Sequence, residues 1–183
     1  MALEHAILVA LAEKASTGYD LARRFDKSIG QFWTATHQQV YKVLARMESA
    51  GWVVATVVEQ DGRPDKKVYD LTADGRAELA AWIARPAEPE VTRSDLAVKI
   101  RGASYGDPAA VAAEVARHRA LHAERLDAYL ANEKHEFAEP SRLRGHRLHQ
   151  WLVLRGGINL ERNLIDWYDD VLVALRPERK GKP

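Results

Sequence analysis

The 183-residue chain contains no cysteine. That excludes disulfides, thiolate nucleophiles and metal sites built on sulfur, and it suits a reducing compartment. No apolar run approaches the roughly 20 residues of a membrane-spanning helix. The opening MALEHAILVALAEKAS lacks a basic leader and carries Glu4, His5, Glu13 and Lys14, so it does not read as a secretory signal. The expectation is a soluble, cytoplasmic protein. Enzyme signatures are missing too: there is no phosphate-cradling glycine loop, GxSxG elbow, dinucleotide fingerprint or HExxH. Asp169-Asp170 is explained as well by a solvated turn as by chemistry. No catalytic residue and no cofactor are expected.

Charge of one sign is also lacking. The net charge is +1, with 10 Lys/Arg against 11 Asp/Glu in residues 1–84 and 17 against 15 in 85–183. No bulk basic field marks a nucleic-acid binder, so any cations that meet DNA must be placed locally. What is present is ordinary globular material, 46% hydrophobic and 29% charged, in a chain long enough to bury a core without a staple.

The patterning is mostly helical. Leu3, Ile7, Leu8 and Leu11 have helical spacing, and Ser16-Thr17-Gly18 then offers capping oxygens for a second helix over 19–27 with Leu21, Ala22 and Phe25 inward. Thr36 and Gln39 form a capping box for a third helix, which Gly51 ends. On that helix Val40, Val43, Leu44 and Met47 share one arc. Gln38, Gln39, Lys42, Ala45 and Arg46 take the opposite arc, with Tyr41 at its border. Trp33, beside Phe32, and Trp52 are expected as scaffold. Two β-like runs, WVVATVVE and KKVYDL, follow as a hairpin whose Asp61-Gly62-Arg63-Pro64 corner gathers Arg63, Lys66 and Lys67 around Asp65. Thr72 then starts a fourth helix through Leu79, Trp82 and Ile83. Three helices and a hairpin are the order of a winged helix-turn-helix, with the third helix as reader and the hairpin as wing.

The remainder divides into a linker at 85–92, a helical domain at 93–176 and a basic tail at 177–183, leaving 1–84 as the reading head. The helical domain is expected to hold a short helix near Asp95–Ala103, a long one from Asp107-Pro108 to about 134, and another restarting at Pro140-Ser141 and running to about 175. Along the last helix Trp151, Leu154, Ile158, Ile165, Tyr168 and Leu172 make an apolar stripe that Glu161 interrupts. Val153, Leu160, Leu164, Trp167 and Val171 make a second. A helix apolar on two sides must be covered twice, once by its own chain and once by something else, which points to a dimer. Leu154, Ile158, Ile165, Tyr168 and Leu172 are assigned to its interface, and Trp151 and Trp167 as candidate walls of an effector site. Gly156-Gly157 inside this helix suggests a close helix approach or a kink. His118/His122 and His146/His149 each share a helix face, but surface histidines explain them and no metal is assigned.

The motifs STGYDLARRF, FWTATHQQVYKVLARMESAGWV and EQDGRPDKKVYDLTADGR, over about residues 5–80, resemble the PadR family of bacterial transcriptional regulators. The segment 93–175, with IDWYDDVL, resembles the family's C-terminal dimerisation domain more loosely. The resemblance implies a mainly α fold with a small β-hairpin: a winged head followed by a helical dimerisation domain. It also implies a homodimeric repressor, often released from DNA by a small aromatic or xenobiotic molecule. By position Tyr19, Gln39, Tyr41 and Lys42 match places that face DNA, and Gly62, Arg63 and Lys67 match the wing tip. Asp65 departs from the basic or neutral residue usual there. Gln38 or Gln39 suits adenine, Arg46 guanine or phosphate, and Tyr41 and Lys42 phosphate. Double-stranded operator DNA and a second copy of the chain are the expected partners. A winged helix that binds another protein instead is the competing expectation.

Overall fold

The computed structural model describes residues 2–27, 35–59, 65–88 and 93–176. The chain forms two compact units, 1–89 and 90–183. The expected positions of Phe32, Trp33, Gly62, Arg63, Pro64 and the 177–183 tail lie outside the described residues.

The first unit begins with α1 (Ala2–Glu13), whose Ile7, Leu8, Ala10 and Leu11 are buried. A two-residue strand, β1 (Ser16–Thr17), leads into α2 (Gly18–Lys27). The Thr17 hydroxyl oxygen accepts the Asp20 amide at 3.1 Å, so the cap read from sequence forms. In α3 (His37–Ser49) the arc Val40, Val43, Leu44 and Met47 is buried, and Thr36 and Gln39 close the capping box. Gly51 takes the left-handed conformation, φ +74°, that ends such a helix.

Strands β2 (Val53–Val58) and β3 (Lys66–Leu71) pair antiparallel from Val53↔Leu71 to Val58↔Lys66. The sheet has three strands rather than the two expected, in the order β1-β3-β2, with Ser16 opposite Tyr69. A two-residue strand leaves no alternation to read; it exists because β3 offers a free edge. Tyr69 and Leu71 turn inward onto the core formed by α1–α3, and Trp52 packs against its rim. Helix α4 (Ala73–Ile83) starts at Thr72, whose hydroxyl accepts the Gly75 amide at 3.0 Å. His5 of α1 stacks on Trp82 of α4, ring centroids 4.5 Å apart, and bonds Glu78 at 3.1 Å.

The second unit opens with α5 (Asp95–Arg101), shorter than expected because the chain tightens into a 3-10 turn at Ala103–Tyr105. Asp107 caps α6 (Pro108–Glu136), with Pro108 in its first turn. Pro140 does not restart the last helix. Pro140–Arg142 is a single 3-10 turn, Leu143 and Arg144 are extended, and α7 runs from Gly145 to Ala174. The Arg144 guanidinium donates to the Ser141 and Leu143 carbonyls at 3.0 and 2.6 Å, which holds that break.

Helices α6 and α7 pack antiparallel, joined by Arg119–Asp169, His122–Glu161 and Glu133–Trp151. Helix α7 runs unbroken through Gly156-Gly157. A methyl group at Gly157 would come within 3.1 Å of the Tyr129 ring, whereas Gly156 faces open space. Close approach of α6 thus accounts for one glycine of the pair. No helix among the described residues is long and apolar enough to cross a membrane.

Candidate nucleic-acid interface

The buried arc of α3 leaves Gln38, Gln39, Tyr41, Lys42 and Arg46 exposed together on its other side. Their surroundings separate them. The Gln39 carboxamide oxygen accepts the Thr36 amide at 2.8 Å, so this exposed side chain takes part in the cap as well as lying on the expected reading face. Arg46 is ion-paired to Glu4 of α1. Gln38 and Lys42 are exposed and engage no partner among the described residues.

Tyr41 lies against the start of α2. A methyl group at Gly18 would sit 2.4 Å from its ring, so only glycine admits the ring there. Tyr19 is 56% exposed and meets the His37 ring edge-on at 6.4 Å, with the Arg23 guanidinium 5.9 Å from its centroid. The first turns of α2 and α3 therefore bring Tyr19, His37, Gln38 and Tyr41 into one neighbourhood. Arg23 and His37 were not singled out from sequence. Arg23 follows Tyr19 by one helical turn, and His37 opens the reader helix, so both spacings were available as signals.

On the wing, Lys66 and Lys67 are exposed at the start of β3, and Arg63 lies outside the described residues. The Lys67 ammonium donates to Glu48 Oε2 at 2.8 Å and lies 5.3 Å from the centre of the Tyr69 ring. The hydrogen bond to Glu48 raises its pKa above the ordinary lysine value. That bond also ties the last turn of α3 to the wing strand. Asp65 is exposed and pairs with none of the described cations.

The residues assigned to a dimer interface need correction. Leu154, Ile158 and Tyr168 are buried within their own unit: the first two cluster with Tyr129 and Phe137, and Tyr168 with Leu96 and Val115. Leu172 packs at the edge of the second cluster, and Ile165 is half-buried. The stripe faces α6 because α6 supplies its covering surface. The second stripe is partly open: Val153, Leu160 and Trp167 are exposed, Leu160 by 59%, while Leu164 and Val171 pack against the cluster of Leu96, Val115 and Tyr168. Trp151 donates its indole N–H to Glu133 at 3.0 Å and packs with Tyr129 and Leu154, which makes it scaffold. Trp167 lies against Tyr168, ring centroids 5.0 Å apart.

A cleft of about 500 Å³ lies elsewhere in this unit, lined by Arg93, Leu96, Lys99, Glu114, His118 and Tyr168 among others. Neither tryptophan lines it. Glu114 is held there by a bidentate bond from Arg117, at 2.8 and 2.9 Å, which lowers its pKa to about 2. His118 and His122 each face a carboxylate, Glu114 and Glu161 respectively. No group of three metal-binding side chains occurs among the described residues.

Residues 7–81 match the family described as "Transcriptional regulator PadR-like family", and residues 92–176 match "Virulence activator alpha C-term". A Mycobacterium tuberculosis protein named as a probable transcriptional regulator, Rv1176c, is 56% identical over 98% of this chain and 100% of its own. The negative transcriptional regulator PadR of Bacillus subtilis is 28% identical over 94% of this chain and 97% of its own. Its crystal structure in complex with operator DNA superposes with a TM-score of 0.84, at 24% identity over 96% of this chain and 99% of that one. The virulence activator AphA of Vibrio cholerae superposes with a TM-score of 0.80, at 31% identity over 94% and 97%. The names along these matches are those of regulators and not of enzymes. With a 56% identical relative covered end to end and both units matched, the chain belongs to the PadR-like family of transcriptional regulators.

Proposed function

We propose that this regulator binds a near-palindromic DNA operator as a homodimer in the cytoplasm and represses transcription from it. One observation carries the reading: α3 leaves an exposed polar face that the Glu48–Lys67 bond joins to the wing strand, so reader and wing form one surface. In this reading residues 1–84 are the head and 93–176 the dimerisation and effector domain, joined by 85–92. Gln38 reads a base edge, Tyr19, Tyr41, Lys42, Lys66 and Lys67 position the head on phosphates, and Arg46 joins them once Glu4 releases it. Arg63 belongs to the same wing by its place in the sequence. The exposed stripe Val153, Leu160 and Trp167 joins the two copies, with Ile165 and Leu172 at its border. Paired heads require half-sites about 34 Å apart or a multiple of it.

Repression follows if the dimer occupies promoter DNA, and the name of the Bacillus subtilis relative supports that sign. A small aromatic molecule that prefers mis-spaced heads would release it. Its place in this reading is the cleft beside Tyr168, whose volume suits a small ligand.

Selection from a random DNA pool tests binding, symmetry and spacing together. Enriched inverted half-sites are expected, and a pool that enriches nothing overturns the reading in favour of a protein partner. On the selected operator, Lys42→Ala is expected to weaken binding, with a salt slope shallower by about 0.9 and the dimer intact. Transcription in vitro from a promoter carrying that operator should fall when the protein is added; a rise would reverse the assigned sign.

A further inference from the structure

The cations of the proposed DNA surface are not equally available. Lys67 is bonded to Glu48 and Arg46 to Glu4, whereas Lys42 and Lys66 have no ion-pair partner among the described residues. Both carboxylates come from the head itself, Glu48 from the last turn of α3 and Glu4 from α1. Asp65 is closer to Lys67 in sequence, yet the lysine turns to Glu48, 19 residues away.

We propose that Glu48 is an internal competitor for phosphate: it holds Lys67 from the backbone of non-specific DNA and yields it only when α3 is seated in an operator groove. The inference rests on the DNA-reading function proposed above. A carboxylate oxygen at 2.8 Å offers an ammonium much what a phosphate oxygen offers, a short charge-assisted bond. Engaging Lys67 on a random duplex therefore breaks one such bond to form another. It also leaves the Glu48 carboxylate facing the phosphates, where like charges repel.

Non-specific binding consists almost wholly of cation–phosphate contacts, so losing one is a large share of it. A specific complex adds base contacts from α3 and loses proportionally less. Specificity is a difference of affinities, and Glu48 widens it by weakening the wrong complex more than the right one. The pair is suited to such a filter because it is exposed on both sides, by 49% and 36%, and exposed pairs are weak enough to exchange. The Lys67 ammonium also lies 5.3 Å from the centre of the Tyr69 ring, a contact within the wing strand itself. The competing account is a tether, in which the bond only fixes the wing to α3.

Fluorescence anisotropy on a random-sequence duplex, from about 50 to 200 mM salt, separates the two accounts. Glu48→Gln is expected to bind that duplex about two- to fivefold more tightly, with a salt slope steeper by about 0.9. The gain should vanish in the Glu48→Gln/Lys67→Ala double variant, and affinity for the selected operator should change less. Asp74→Asn on the exposed first turn of α4 removes the same charge away from Lys67 and should show less than half of the gain. Glu48→Gln binding that is weaker, unchanged or matched by Asp74→Asn identifies a tether and overturns the inference alone. A wild-type chain that binds neither selected nor random duplex overturns the DNA reading, and the inference with it.

Discussion

The two units meet the same packing demand, and their helices α3 and α7 leave different remainders. The head closes one apolar cluster from α1, α2, α3 and the sheet, and what it leaves outside on α3 is polar. The helical unit holds two smaller clusters, one around Tyr129 and Ile158, the other around Val115 and Tyr168. What α7 leaves outside includes an apolar strip, Val153, Leu160 and Trp167, among polar residues such as Arg162 and Asp166. A polar remainder costs nothing in water until a partner arrives. An apolar one is a standing penalty that a second apolar surface relieves. In the reading proposed above, the first surface meets a transient polar partner and the second a lasting apolar one.

The widest break in that comparison comes from two neighbouring positions of α7. Ile158 is fully buried and Leu160 is exposed. Ile158→Asp places a charge in the cluster with Tyr129 and Leu154, and is expected to unfold the helical unit, a loss of more than about 4 kcal/mol. Leu160→Asp should leave that unit folded and shift the protein from dimer to monomer. Sedimentation with circular dichroism distinguishes them. A folded dimeric Leu160→Asp variant would remove the second stripe from the interface.

A second break lies between the clusters of the helical unit. Glu161 is 4% exposed and bonded to His122, with an Arg125 guanidinium nitrogen 3.7 Å from its other oxygen. The head's nearest counterpart is His5, 4% exposed and bonded to Glu78 at 3.1 Å. Such a polar layer holds two helices in register because any slip leaves its members unpaired. Glu161→Ala leaves His122 without that partner and is expected to cost about 1–3 kcal/mol by denaturant unfolding. Glu161→Gln, which keeps an acceptor for the His122 ring, should cost less. Equal losses for both variants would mean that the layer acts through packing alone.

The head was the more legible unit. Its caps at Thr17, Thr36 and Thr72 are local rules, and the buried arc of α3 follows from helical spacing alone. Strand β1 escaped because two residues carry no period. At the interface, exposure and the Gln39 cap were readable, but that Lys67 turns to Glu48 is a matter of geometry. The helical unit was readable in its elements and not in its faces. Both stripes of α7 are apolar, and which one α6 covers depends on tertiary packing. Glu161 was visible as an interruption of the first stripe. Its partner His122 lies 39 residues away, so no local spacing could supply it.

The finest contrast is between two exposed ion pairs, one in each unit. Lys67 makes a single bond to Glu48, while Glu114 receives two parallel bonds from Arg117 and a further contact from His118 at 3.3 Å. The forked geometry holds the Glu114 carboxyl at about 2, against an ordinary value of 4.5. Because the folded-state value is depressed, the pair's contribution is complete above about 4.5 and is lost as pH falls through about 2. The stabilisation is small, as for other exposed pairs, so the titration itself is the sensitive readout. Carboxyl-detected NMR should place the Glu114 midpoint near 2, and Arg117→Ala should raise it toward the ordinary value. A midpoint unmoved by Arg117→Ala would show that the forked pair adds nothing in solution, and that the two units hold their surface charges in the same loose way.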